Sequence, residues 1–229
     1  KYKNIDWDIL SEENVKITSK IFDSKADWIW ILDPLDGTKD FIQRTGNYAM
    51  HLALNYKQKS CIGFVLIPEK NQLWITDGKK TWCERRNGSK YEPALFKNKN
   101  LQEMTLVTSK NHGNENLRKL IQKINFCKVE IMGSIGCKVA SIVSGDSDIY
   151  ICLSLPGKSA PKDWDFAAPE SILKAAGGAI TNLDNQALKY GGKHFEQGGI
   201  IVATNNMNTH GSICLEIKKI IESNLIYPF

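Results

Sequence analysis

WIWILDPLDGTKDF, residues 28–41, opens with the apolar run Trp28 to Leu32, which predicts a buried strand. Pro34 breaks that run and leaves Asp33 and Asp36 at the strand's carboxyl end. Gly37 and Thr38 follow, with backbone amides placed to meet a ligand. Two carboxylates three residues apart on a Pro-Gly turn are poorly explained by packing, because an uncompensated buried carboxylate is costly. A divalent cation explains them better. Mg²⁺ takes oxygen ligands, usually one or two carboxylates, and keeps positions for phosphate and water. The competing reading is a polar loop whose aspartates only make the turn.

The composition sets outer limits. The 229 residues suffice for one large core or two small domains, and 42% hydrophobic with 24% charged residues is ordinary for a soluble globular protein. No apolar run approaches the roughly 18 residues of a membrane-spanning helix. The chain starts at Lys1 with no basic-then-apolar export signal, so a cytoplasmic location is expected. Six scattered cysteines form no C-x-x-C pair and no Cys/His cluster, which favours small buried hydrophobes in a reducing compartment over a zinc or thiolate site. A net charge of +5 suits an anionic ligand, although many lysines sit in surface turns such as Lys97 to Asn100. No basic run with interleaved aromatics suggests a nucleic acid polymer as partner.

Along the chain, Ile5 to Leu10 alternates as a short strand ending at Ser11-Glu12-Glu13, and Asn14 to Asp27 reads as a loop. Tyr48 to Tyr56, Cys61 to Ile67, Leu73 to Thr76 and Thr81 to Glu84 predict an antiparallel meander joined by hairpin turns. Arg85 to Gln102 has the polar character of a linker. The rhythm then changes to strand–helix alternation: strands Met104 to Thr108, Lys128 to Met132 and Asp148 to Leu153 interleave with helices Glu115 to Ile124, Ser134 to Val143 and Asp163 to Ala176. Gly177-Gly178 stops the last of these. Strands Ala179 to Leu183 and Gly199 to Thr204 and a helix from Met207 to Ser223 complete the chain. The expected organisation is an α+β half over residues 1–103 beside an α/β half over 104–229.

Three further segments offer chemistry. Asp165, in the first turn of the helix from Asp163, is favourable with the helix dipole on its own, but adds a distant fourth carboxylate to Asp33, Asp36 and Glu12. Gly133-Ser134-Ile135-Gly136-Cys137-Lys138 opens another helix, with Ser134 as N-cap, Gly136 admitting a ligand to the backbone and Lys138 adding charge. Ordinary capping explains that pattern equally well. Thr108-Ser109-Lys110-Asn111-His112 follows a strand end with hydroxyls, a cation and an imidazole. His51, His194 and His210 read as structural or exposed.

Taken together, Glu12-Glu13, Asp33-Pro34-Leu35-Asp36-Gly37-Thr38 and Trp164-Asp165-Phe166-Ala167-Ala168-Pro169-Glu170 resemble the inositol monophosphatase-like superfamily of Mg²⁺-dependent, lithium-sensitive phosphatases. The blocks come in the family's order and span most of the chain. Lys39 after D-G-T and the A-P-E of the late helix are similar to the 3′(2′),5′-bisphosphate nucleotidase branch, the CysQ type. That branch removes the 3′-phosphate of phosphoadenosine phosphate, a by-product of sulfate assimilation. The resemblance implies a layered α/β/α/β/α sandwich, two or three Mg²⁺ ions, a small phosphorylated nucleotide as partner, and a monomer or homodimer.

Carried over by residue, the resemblance implies Glu12, Asp33, Asp36 and Asp165 as metal ligands, with the Leu35 carbonyl as another. It implies Thr38, with Asp33 and Glu12, at the attacking water, and the Gly37 and Thr38 amides on phosphate oxygens. Thr108, Ser109, His112, Ser134, Gly136 and Lys138 would line the substrate. In the family the partner of Thr38 is an Asp from an N-terminal helical segment, so several tens of residues are expected before Lys1. Rival readings are an inositol or sugar-bisphosphate phosphatase of the same fold, and a phosphonucleotide-binding protein without turnover.

Overall fold

The computed structural model describes residues 5–18, 22, 24–94, 96, 98–109, 115–154 and 160–226. Strands β1 (Trp7–Ser11), β2 (Trp28–Asp36), β3 (Ala49–Tyr56), β4 (Lys59–Ile67), β5 (Gln72–Thr76), β6 (Thr81–Arg85) and β7 (Lys90–Tyr91) form one seven-stranded sheet in sequence order. All neighbours are antiparallel except β1 and β2, which run parallel. Helix α1 (Glu12–Thr18) begins the β1–β2 crossover, where a loop was expected. Parallel neighbours need a crossover rather than a hairpin, and two acidic residues in the first turn favour a helix start.

Pro34 does not end its strand. Strand β2 runs on to Asp36, and the register with β3 jumps from Asp33↔His51 to Asp36↔Ala49. Pro34 and Leu35 therefore sit in a bulge, where a missing backbone donor costs no ladder hydrogen bond.

The second sheet has the order β11-β12-β10-β8-β9, from β8 (Thr105–Thr108), β9 (Lys128–Ile131), β10 (Ile149–Ser154), β11 (Ala179–Asn182) and β12 (Gly199–Thr204). Strands β8, β9 and β10 are parallel, so their carboxyl ends share one edge. Helices α2 (Thr38–Ile42), α3 (Glu115–Ile124), α4 (Ile135–Ser144), α5 (Asp163–Ala175) and α6 (Met207–Ser223) complete the fold.

Helices α4 and α5 lie between the two sheets, and α3 with α6 covers the far side of the second. The described residues thus form four layers of sheet, helix pair, sheet and helix pair. Every residue of α4 from Ile135 to Val143 is buried, as a helix with sheet on both sides must be. Gly63 of β4 lets α5 close on the first sheet: a Cβ there would stand 2.1 Å from Ser171 Oγ. One core joins the two halves of the chain, with Leu10, Ile31 and Trp74 packing in the same cluster as Val139, Phe166 and Ile201. The sheet face turned away from α5 carries Trp30, Leu32, Leu52, Leu54, Phe64 and Leu66, all half-buried.

Candidate metal centre

Chain direction gathers the site. The carboxyl end of β2, the carboxyl edge of β8 and β9, and the N-termini of α4 and α5 converge, because each helix starts near the strand end that precedes it. Asp33 is 1% exposed, and its Oδ1 accepts the Leu35 amide at 2.9 Å, which folds the bulge. One carboxylate oxygen from each of Asp33, Asp36 and Asp165 lies within 4.8 Å of the others. Glu12 belongs to the same neighbourhood. Ser11 pairs with Leu32, so the chain leaves β1 beside Asp33, and the Glu12 charge acts on both Asp33 and Asp165.

Such crowding is electrostatically expensive. Burial, followed by the charges of Asp36 and Asp165, pushes the Asp33 carboxyl up to about 9. Burial, followed by Asp36, pushes Asp165 to about 8, although the Lys162 amide donates to its Oδ2 at 2.6 Å. Acceptor-only oxygens held this close fit a hard divalent cation, which would neutralise them together.

Asp36 is held from the helix side. Its Oδ2 accepts from the Ser134 hydroxyl at 2.7 Å and from the Ile135 amide at 2.5 Å. Ser134 also caps α4, accepting from the Cys137 amide at 3.3 Å, and reaches both partners from a left-handed φ of 49°. Gly37 turns the chain at φ 88°, and a Cβ there would lie 3.0 Å from Asn47 O. Thr38 is exposed, and its hydroxyl donates to Leu35 O at 3.3 Å. Gly133 leaves space for Asp40, whose Oδ2 would be 2.2 Å from a Cβ at that position.

The remaining expected site residues are spread in depth. Thr108 is buried at the end of β8 with its carbonyl on the Met132 amide at 2.9 Å, and Ser109 is half-buried beyond it. His112 lies outside the described residues. Lys138 is 2% exposed, donates to Ser134 O at 3.1 Å and stands 5.4 Å from the Tyr150 ring centre. It sits beneath the cap that holds Asp36. Gly136 faces the His51 imidazole rather than open space: a Cβ would fall 2.2 Å from His51 Nε2.

Two supports escaped the sequence reading. His51 is fully buried, with Nδ1 3.2 Å from Trp164 O and Nε2 3.5 Å from Asp36 Oδ2. Asp163 is 1% exposed and accepts the Gly191 amide and the Gln197 side-chain amide, each at 2.6 Å. With Trp164 stacked on Phe195 at 5.2 Å, it clamps the Asp165-bearing end of α5 to the 190–197 loop. Asp163→Ala removes the acceptor of the half-buried Gly191 amide and leaves the buried Gln197 amide with only Lys189 O, at 2.8 Å, so urea unfolding should show a loss of about 2 kcal/mol. A loss below about 1 kcal/mol would mean that water replaces the carboxylate.

The fold and these contacts define a layered α+β protein with an acidic, oxygen-only centre at strand and helix ends. The chain belongs to the inositol monophosphatase family, whose profile matches residues 5–222. It is 31% identical over 184 residues to 3′(2′),5′-bisphosphate nucleotidase CysQ of Buchnera aphidicola, covering 80% of this chain and 64% of that protein. To 3′(2′),5′-bisphosphate nucleotidase 1 of Mus musculus it is 29% identical over 195 residues, covering 80% and 59%. The chain therefore spans less than two thirds of the length of these relatives. Staphylococcal IMPase-II bound to inositol monophosphate has the same fold, with TM-score 0.74 and 23% identity over 96% of this chain and 80% of that one. The same protein has been solved with 2′AMP, at TM-score 0.73 and 22% identity over 96% and 79%. Among the described residues, no helix is long and apolar enough to cross a membrane.

Proposed function

We propose that the protein is a Mg²⁺-dependent phosphatase that hydrolyses the 3′-phosphate of 3′-phosphoadenosine 5′-phosphate to AMP and phosphate, acting in the cytoplasm beside sulfate assimilation. The observation that carries this reading is the convergence of Asp33, Asp36 and Asp165 within 4.8 Å, beside Glu12. The names of the relatives found at 29–31% identity supply the nucleotide.

Glu12, Asp33, Asp36, Asp165 and the Leu35 carbonyl would hold two or three Mg²⁺ ions. Bound there, the cations supply Lewis-acid polarisation of the phosphoryl group and lower the pKa of water. The Thr38 hydroxyl, fixed on Leu35 O, orients the attacking water, and the Gly37 and Thr38 amides receive phosphate oxygens. Thr108, Ser109 and His112 take the nucleotide side. Ser134 and Gly136 shape the wall behind Asp36, and Lys138 places a positive charge under an anionic substrate.

The test is phosphate release from phosphoadenosine phosphate, inositol 1-phosphate and fructose 1,6-bisphosphate, with and without Mg²⁺. Preference for the bisphosphate nucleotide with Mg²⁺ is expected. Preference for inositol 1-phosphate would transfer the chain to the second reading, which draws on the neighbour solved with both ligand types. Tight nucleotide binding without release from any substrate would instead make it a binding protein.

A further inference from the structure

We infer that His51 is a positioning residue that sets the spacing of the carboxylate cluster by fastening α5 to the sheet; this rests on the metal reading above. Three contacts carry it. On β3, His51 is the register partner of Asp33. Its ring reaches Trp164 O, one residue before Asp165, at 3.2 Å. Its Nε2 edge stands 3.5 Å from Asp36 and fills the slot that Gly136 leaves in α4. One fully buried side chain therefore touches β2, α4 and α5, the elements that bear or anchor Asp33, Asp36 and Asp165.

The proton can be assigned from the partner. A carbonyl only accepts, so Nδ1 carries the hydrogen and donates to Trp164 O. Nε2 has no hydrogen-bond partner and stands 3.5 Å from Asp36 Oδ2, beyond a well-formed hydrogen bond. That edge contributes shape and polarity, while the Nδ1–H bond is the tether. Moving α5 would change the spacing of Asp165 from Asp33 and Asp36, and outer groups of this kind typically change metal affinity 10–100-fold.

Side-chain chemistry separates a tether from a filler. The Asn amide nitrogen can occupy the Nδ1 position, and the Gln amide nitrogen that of Nε2. A tether therefore ranks His51→Asn above His51→Gln and His51→Leu. A volume-filling role ranks the larger Gln and Leu above Asn. The probe is Mn²⁺ alone, with free ion followed by electron paramagnetic resonance and thermal unfolding of the metal-free protein run alongside. Asn should bind Mn²⁺ within about threefold of wild type, and Gln and Leu at least tenfold more weakly. If Leu fails to fold, the contrast between Asn and Gln decides. Gln equal to wild type, or Asn as weak as Gln, overturns the assignment while leaving the metal site intact. A wild-type protein that binds no Mn²⁺ overturns both.

Discussion

Asp36→Asn lowers phosphate release by roughly a thousandfold, about 4 kcal/mol of transition-state stabilisation, while the metal-free variant unfolds at the same temperature as wild type or higher. The two effects have opposite signs for one reason. After burial, the Asp36 charge is the largest cause of the raised pKa values of Asp33 and Asp165, so removing it relieves both. Function needs that same charge to hold a cation. The fold survives because the amide keeps a carbonyl oxygen for the Ser134 hydroxyl and the Ile135 amide, the two donors that tie α4 to β2. Steady-state phosphate release and differential scanning calorimetry on one preparation check both parts. Unchanged turnover would remove Asp36 from the site. A fall in both quantities would mean that Asp36 serves chiefly to anchor α4.

The second half of the chain was legible because its elements are long enough to show a period. Helices α3, α5 and α6 start where the apolar spacing and first-turn residues put them, and Gly177 follows α5 at φ 92°, as its stop requires. Helix α1 was not legible: seven residues make barely two turns, and its β-branched Val15, Ile17 and Thr18 weaken helix propensity. Pro34 misled in the opposite sense, because a bulge tolerates what a regular strand does not. The parallel pairing of β1 with β2 has no local signal at all.

At the centre, residue types were legible and contacts were not. The motif order picks out Asp33, Asp36 and Asp165, which do come together. Ser134 could be read as a cap, but a capping serine still has a hydroxyl proton to give. Its recipient, Asp36, lies 98 residues away in sequence. Gly136 shows why a small residue at a helix start is ambiguous, since here the space it leaves is filled by a histidine from another layer. His51 carried only the alternation of β3, which turns it inward; its partner Trp164 is 113 residues on.

With a chelator present, the protein should lose stability as the pH rises from 7 to 9, and saturating Mg²⁺ should abolish most of that loss. The folded values, about 9 for Asp33 and about 8 for Asp165, lie above the ordinary 3.8. Between those limits the folded state keeps protons that the unfolded chain has released, so raising the pH favours unfolding until both groups have ionised. Most other buried groups titrate elsewhere, but burial also lowers Lys138 from its ordinary 10.5, and its proton release acts in the opposite sense, favouring the folded state as the pH rises. Burial lowers His210 to about 4, so its effect has the opposite sign and is complete by its ordinary 6.5. Asp163 and Glu170 share the sign of the cluster but finish at about 6 and about 7. Buried thiols such as Cys137, raised from an ordinary 9.0, add a loss of the same sign that sets in near the upper end of the interval from 7 to 9, as the unfolded thiol ionises. Between 7 and 9 the two cluster carboxylates supply the main downward slope, against which Lys138 acts. An uncompensated buried ion costs several kcal/mol, which for a chain of this size is roughly 10 °C in unfolding temperature. Mg²⁺ binds the ionised form, and at a hundredfold excess over its dissociation constant it returns about 2.7 kcal/mol. Thermal unfolding at pH 7, 8 and 9, with chelator and with Mg²⁺, reads the effect directly. A flat profile in chelator would mean that the carboxylates are already compensated within the protein, and their crowding would then cease to argue for a cation.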